Sequence, residues 1–301
     1  MTKVLVTGAS GFLGRHVLNS LLKRGITVDA VTSNPESFRI DPDCTWHVAN
    51  LLVPDQVATL MRQVQPTHLL HLAWYAIPGK YWTAPENFAW VQASLELLKQ
   101  FQAFGGQRVV MAGTCAEYDW GYGYCSEEIT PKQATSVYGI CKSALQTMLD
   151  AYSENAGFSS AWGRIFFLYG PYENPKRFVA STIRSLLKGE SARCSHGNQI
   201  RDFLYVQDVA DAFATLLFSN VIGAVNIASG QPVTLKTIVF QIAEQLGKSN
   251  LVRLGVLPVS DKEPPLLVAN THRLTQEVNW HPKYDLATGL KLTIDWWKMN
   301  H

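Results

Sequence analysis

The sequence predicts a doubly wound parallel α/β sheet with a smaller mixed lobe following it. Three observations point there. Short apolar, β-branched runs alternate with segments of helical spacing through the first 170 residues, the pattern that stacks βαβ units into a parallel sheet. A glycine-rich turn joins the first run to the first helical segment. Beyond residue 170 the texture loosens into turn clusters and shorter strands.

Residues 3–7, KVLVT, form a continuous apolar run suited to a strand buried on both faces. GASGFLG follows, then HVLNSLLKRG, with apolar positions at helical spacing and Gly25 as a stop. ITVDAVT completes a βαβ unit, whose crossover should be right-handed. Further strands are expected at 45–49, 68–73, 108–113 and 160–170, with helices around 54–64, 86–104 and 136–156. RDFLYV and GAVNIAS supply later strands. The turn cluster GPYENP marks the division, giving a cofactor domain over 1–170 and a substrate lobe over 171–301, with parts of the chain crossing between them.

Composition narrows the class. Of 301 residues, 47% are apolar and 17% charged, which fits a folded globular chain. Basic and acidic residues nearly balance, 26 against 24, so neither nucleic acid nor a membrane surface is an expected partner. Cys44, Cys115, Cys125, Cys141 and Cys194 are odd in number and contain no CxxC pair. A reduced, cytoplasmic setting and no metal site are expected. The chain shows no signal peptide and no apolar run near the roughly 20 residues that cross a bilayer.

Gly8, Gly11 and Gly14 lie between a predicted strand and a predicted helix. That context makes them a dinucleotide loop, in which the backbone approaches a pyrophosphate seated on the helix N-terminus. The tip of the second strand reports on the adenosine ribose. An NAD site usually carries a carboxylate there; this chain has Thr32, Ser33 and Asn34, with Arg39 beyond. Asp29 lies inside the strand and Glu36 in the loop, so neither takes that place. The expected cofactor is NADP(H), with NAD(H) as the alternative.

Tyr138 and Lys142 stand four apart at the start of a helical segment and share a face. An ammonium near a phenol eases its ionisation, and such a tyrosine exchanges protons with a carbonyl or hydroxyl while hydride moves. Thr114, at the end of the strand before it, would orient the same oxygen.

Taken together, TGASGFLG, HLAW, GTCAEY, YGICK, RIFFLYGPYENP, RDFLYVQDVADA, NIASG and GLKLTIDWW resemble the extended short-chain dehydrogenase/reductase superfamily over nearly the whole chain. The likeness is to its NAD-dependent epimerase/dehydratase family and, within that, to nucleotide-sugar 4-ketoreductases. The resemblance implies a Rossmann-type domain and catalytic Thr114, Tyr138 and Lys142. It also implies cofactor contacts from Ser10, Phe12, Leu13, Asn50, Leu51, Leu72 and Ala73, beside the glycines, Ser33, Asn34 and Arg39. On the substrate side it implies Thr114, Cys115, Arg201 and, more weakly, Arg177, the two arginines for a diphosphate. Family members often dimerise through a four-helix bundle, which here would use 86–104 and 136–156.

Four departures refine the expectation. Dehydratases of the family follow the Thr with an Asp–Glu pair, where this chain has Cys115 and Ala116. Alanine moves no proton, so elimination of water is not expected. Relatives that epimerise at C3 or C5 keep a cysteine two places after the Thr, where Ala116 stands; Cys115 reads as a structural or substrate-lining thiol. Phe167 replaces an Asn common in relatives, and the loops 75–82 and 120–125 are unusually aromatic. The expected function is NADPH-dependent reduction of the 4-keto group of a nucleotide-linked 4-keto-6-deoxy sugar. The alternatives are an NAD-dependent 4-epimerase and a non-catalytic NADP(H)-binding protein.

Overall fold

The computed structural model describes residues 2–37, 43–259 and 263–300. The first half of the chain runs β1 (Val4–Thr7), α1 (Phe12–Lys23), β2 (Val28–Thr32), β3 (Cys44–Val48), α2 (Pro54–Val64), β4 (His68–His71), α3 (Glu86–Ala103) and β5 (Arg108–Thr114). After the short β6 (Tyr124–Cys125) come α4 (Val137–Ala156) and β7 (Ser159–Ile165). The remainder supplies β8 (Phe167–Tyr169), α5 (Phe178–Leu187), β9 (Ala192–Arg193), β10 (Ile200–Tyr205), α6 (Val206–Leu217) and β11 (Gly223–Ile227). It ends with β12 (Pro232–Thr234), α7 (Leu235–Gln245), β13 (Val252–Arg253), β14 (Leu266–Ala269) and α8 (Leu286–Met299).

Seven strands form one sheet in the order β11-β7-β5-β4-β1-β2-β3, and every neighbouring pair is parallel. Its central strands are buried on both faces: Val4, Leu5, Val6 and Thr7 have no exposed surface. That is why β1 reads as an unbroken apolar run. On one face α1 and α6 pack Val17, Leu21, Phe213 and Leu217 into a core. On the other, α2, α3 and α4 contribute Leu60, Leu97, Phe101, Leu145 and Leu149. The chain after residue 170 therefore completes the first domain, through α6 and β11. The second sheet runs β12-β10-β14-β6 with β8 alongside β10, and α5, α7 and α8 bury Ile183, Ile242 and Ile294 in a third core.

One predicted strand is corrected. The run 160–170 is two strands in two sheets. β7 pairs with β5 and β11, whereas Phe167, Leu168 and Tyr169 pair with Phe203, Leu204 and Tyr205 of β10. The chain changes partner at Phe166 while remaining apolar throughout, and periodicity alone cannot register such a switch. Strand order reverses between β1 and β4, and in open α/β sheets that crevice, at the carboxyl ends of the strands, is where ligands bind. Among the described residues, no helix is long and apolar enough to cross a membrane.

Candidate active site

β5 ends on Thr114, and a single helical turn over Cys115–Glu117 follows at once. The turn is capped reciprocally: the Thr114 hydroxyl accepts from Ala116 N at 3.2 Å, and the Glu117 carboxylate accepts from Thr114 N at 2.8 Å. Two orphan donors at the start of the turn are thereby satisfied. The same buried carboxylate accepts from Trp162 Nε1 and pairs with Arg164 Nε, both at 2.8 Å. Arg164 continues to the Tyr118 hydroxyl and the Gln146 side chain, and Tyr118 donates to Asn226. A connected polar network thus fixes the turn that carries Thr114.

Helix α4 starts at the Ser136 cap, whose hydroxyl accepts from Gly139 N. Tyr138 and Lys142 follow one turn apart. The Thr114 side chain stands close enough to the Tyr138 phenol to favour its ionisation. Tyr138 is half-buried, and the Tyr81, Trp82 and Trp74 rings meet it edge-on, with centroids at 4.9, 5.9 and 6.5 Å. Trp82 also accepts the Tyr138 N–H through its carbonyl at 3.1 Å. The loop 75–82 is therefore the wall of the tyrosine site, and Trp120 of the second aromatic loop meets Trp82 at 6.0 Å.

The expected partnership of lysine and phenol takes a different form. Lys142 Nζ donates to the Ala112 carbonyl at 2.8 Å and lies 3.7 Å from the Trp74 ring centroid. Burial pushes its pKa down to about 7, against a raising influence from Glu117. The Tyr138 phenol is pushed up by burial, which the neighbouring Thr114 side chain opposes. The phenol is thus held in its protonated form. Deeper in the sheet, His71 links Thr7 to Ser94 and is kept neutral by burial, its pKa lowered to about 3.

The glycine turn has the form a dinucleotide needs. Gly8 has φ +66°, and a Cβ there would stand 2.7 Å from Ala73 N, so the turn after β1 lies directly on Leu72 and Ala73 beyond β4. Gly14 packs its α-carbon on the Gly8 carbonyl and Ala9, where a Cβ has no room. Gly11 caps α1 without any side-chain acceptor, and the first turn, with Phe12 and Leu13, carries no acidic residue. These are terms a pyrophosphate fits. Ser10 Oγ meets Thr32 Oγ1 at 3.1 Å, tying the turn to the tip of β2. Ser33 and Asn34 are exposed at that tip, and Asn34 Oδ1 accepts from Glu36 N. Asp29 is engaged by His47 at 2.7 Å, inside β2. Asn50 is exposed and accepts from Leu52 N, beside the buried Leu51. Arg39 lies outside the described residues.

On the substrate side the residues divide. Cys115 is buried, its thiol pushed up by burial, and packs with Tyr118, Cys125 and Phe166. Arg177 is exposed at the start of α5, with its guanidinium 5.4 Å from the Tyr81 ring, where its charge opposes the upward push of burial on the Tyr81 phenol. It therefore joins the tyrosine site through Tyr81. Arg201 is buried on β10, pairs with Glu263 at 2.9 Å and lies 5.6 Å from the Phe167 ring. A cavity of about 540 Å³ in the lobe, lined by Tyr169, Phe203, Tyr205 and Tyr284, contains none of these residues. Trp74 and Asn87 stand at the site and were not singled out as site residues in the sequence, whereas Tyr81 and Trp82 belong to the aromatic loop 75–82 noted there.

A seven-stranded doubly wound sheet, with a glycine turn after β1 and Thr, Tyr and Lys gathered at β5 and α4, defines an extended short-chain dehydrogenase/reductase. The chain belongs to the NAD-dependent epimerase/dehydratase family, whose model matches residues 4–228. It is 27% identical to CDP-abequose synthase of Salmonella typhimurium over 96% of each chain. It is 27% identical to dTDP-6-deoxy-L-talose 4-dehydrogenase (NAD(+)) of Aggregatibacter actinomycetemcomitans, over 78% of this chain and 87% of that one. Among solved structures, the UDP-glucose 4-epimerase of Thermus thermophilus in complex with NAD matches with TM-score 0.85 and 26% identity, covering 99% of both chains.

Proposed function

We propose that this protein reduces the 4-keto group of a nucleotide-linked 4-keto-6-deoxy sugar, with NADPH as reductant. One observation carries the reading: the Tyr138–Thr114 pair stands beside a turn in which Cys115 and Ala116 are poor proton carriers and the Glu117 carboxylate is already committed to Thr114 N, Trp162 and Arg164. Burial disfavours the Cys115 thiolate, and Ala116 has nothing to ionise. Chemistry at C3, C5 or C6 needs an acid or base at such a place. Chemistry at C4 needs a proton on one oxygen.

The bound dinucleotide would supply or accept hydride. Tyr138, kept protonated by its surroundings, donates its phenolic proton to the carbonyl oxygen as that oxygen gains charge. Thr114 orients the oxygen through its hydroxyl, and Lys142 supports the phenolate left behind and holds the nicotinamide ribose. Gly8, Gly11 and Gly14, with Ser10, Phe12 and Leu13, would hold the pyrophosphate, while Leu72, Ala73, Asn50 and Leu51 line the crevice. Residues 1–170 would hold the cofactor and 171–301 the nucleotide sugar. Arg201 would meet the diphosphate, exchanging its Glu263 partner for phosphate, and Arg177 would serve nearer the sugar beside Tyr81. Ser33 and Asn34 support NADPH, since no carboxylate stands at the β2 tip to repel a 2′-phosphate. The likeness to a 4-dehydrogenase of a 6-deoxy sugar nucleotide supports chemistry at that carbon.

Likeness to a UDP-glucose 4-epimerase with NAD favours a second reading, in which NAD is retained and recycled. Following absorbance of NADPH and NADH with a panel of 4-keto-6-deoxy nucleotide sugars separates the two. Stoichiometric consumption that Tyr138→Phe lowers by roughly 10² or more is the expected outcome. Tightly held NAD with no net consumption would put the epimerase reading first.

A further inference from the structure

The loop between β4 and α3 is organised by one side chain. Asn87 is fully buried, and its Nδ2 donates to the carbonyls of Tyr81 and Ala84 at 2.7 and 2.8 Å. Its Oδ1 accepts from Trp74 Nε1 at 2.8 Å. An amide with all three contacts made closes residues 74–84 into a fixed shape and sets the plane of the indole. That plane faces Lys142, with the ammonium 3.7 Å from the ring centroid, and the Trp162 ring centroid lies 5.7 Å from the same ammonium. Trp90 of α3 lies against Trp74, with ring centroids 6.2 Å apart.

We propose that Trp74, aimed by Asn87, is a positioning residue that holds the Lys142 ammonium, in its charged form, at the place from which it serves Tyr138 and the cofactor ribose. Lys142 needs such a support. Apart from the Ala112 carbonyl, its surroundings on β4, β5, β7 and α4 offer little compensation for a buried charge. His71 on β4 is neutral, and Tyr138 on α4 is a protonated phenol. Glu117 after β5 attracts the ammonium, but its carboxylate is already shared by Arg164, Trp162 and the Thr114 amide. Burial consequently brings the lysine to about 7, where small contributions decide its charge. The face of a tryptophan is the strongest aromatic partner for a cation, and a desolvated contact of this kind is worth about one pKa unit.

This inference rests on the reading that Lys142 holds the cofactor, and the test separates the two. NADPH and NADH affinities are measured by calorimetry between pH 6 and 9, with no sugar present. Wild-type affinity should fall as the pH rises through the lysine titration, since the charged form binds and the neutral form does not. In Trp74→Leu, which removes the ring face, the midpoint should move down by about one unit. Trp74→Phe, which restores a ring without the Asn87 contact, should recover at least half of that displacement. Trp74→Met replaces the leucine variant if thermal unfolding shows that variant to be misfolded. Lys142→Met should bind weakly and without this pH dependence. If Lys142→Met binds as tightly as wild type at pH 6, the cofactor role of Lys142 is wrong, and the inference goes with it. If Lys142→Met is weak but the midpoint of the leucine or methionine variant stays in place or rises, the proposal for Trp74 alone is overturned.

Discussion

Glu117 shows how one residue can matter to a site without acting in it. Its carboxylate is fully buried and takes Thr114 N, Trp162 Nε1 and Arg164 Nε together. Glu117→Gln keeps the shape but strands the Arg164 charge. Breaking a buried pair from one side costs about 3–5 kcal/mol, so the melting temperature should fall by roughly 10 °C. Adding Arg164→Met should recover part of the loss, because no uncompensated charge then remains; no recovery in calorimetry would mean the pair is not the source. Glu173 offers a pH-dependent counterpart. It is buried, its Oε2 has no hydrogen-bond partner, and burial raises its pKa to about 8 although Arg177 opposes the shift. Between its ordinary value near 4.5 and about 8 the folded state holds a proton that the unfolded state releases, so stability falls as pH rises through that window. Glu173→Gln should therefore raise the melting temperature most at pH 8.5 and least near pH 5, and a constant difference across that range would contradict the assignment. At this scale Tyr138 and Lys142 could be singled out as candidates because four positions on one helix put them on one face, and Thr114 because it ends a strand. Trp74 and Asn87 could not, since their meaning lies in contacts between a loop and a helix that sequence does not record.

The elements proposed to bind the cofactor are set by turns, and there the sequence was most informative. A strand, three glycines and a helix predict the crevice because each glycine has a steric reason, visible in the contact of Gly8 with Ala73 and of Gly14 with the Gly8 carbonyl. Gly14→Ala has to push α1 away from that carbonyl. It should lower affinity for NADPH and NADH alike by tenfold or more in calorimetry, and unchanged binding would show that α1 does not approach the dinucleotide. The tip of β2 makes a different kind of choice. Ser33→Asp places a carboxylate where a 2′-phosphate would sit, and one charge-assisted contact to phosphate is worth about 1.5–3 kcal/mol. At least roughly tenfold preference for NADPH in kcat/KM is expected of wild type, reversed in Ser33→Asp. Equal use of both cofactors before and after the change would remove the β2 tip from the selection. What the sequence did not disclose at this scale was the passage of the chain from β7 to β8. Both strands are apolar, and the exchange of sheets at Phe166 depends on β10, which lies 34 residues or more further along.

The whole molecule leaves an apolar stripe uncovered where two of its helices meet solvent. On α4, Ile140 is 54% and Met148 36% exposed, with Ala144 and Ala151 exposed on the same face at helical spacing. On α3, Phe88 is 64% exposed. A helix that packs its other face on a sheet gains nothing from such residues in water, whereas a second copy covering them removes them from it. Isologous contact between these helices in two copies would form the four-helix bundle that the resemblance implies. The arrangement has a consequence for the site, because α4 also carries Tyr138 and Lys142 near its start. We propose that this pair of helices is the dimer interface. Ile140→Glu with Phe88→Glu should turn a dimer into a monomer in sedimentation, by placing like charges opposite one another where apolar groups had met. Lys142 and Tyr138 point inward on the same helix, so cofactor affinity should change by less than about threefold if the interface only joins the copies. A wild-type protein that sediments as a monomer, or a double variant that remains dimeric, would show that α3 and α4 do not join the copies.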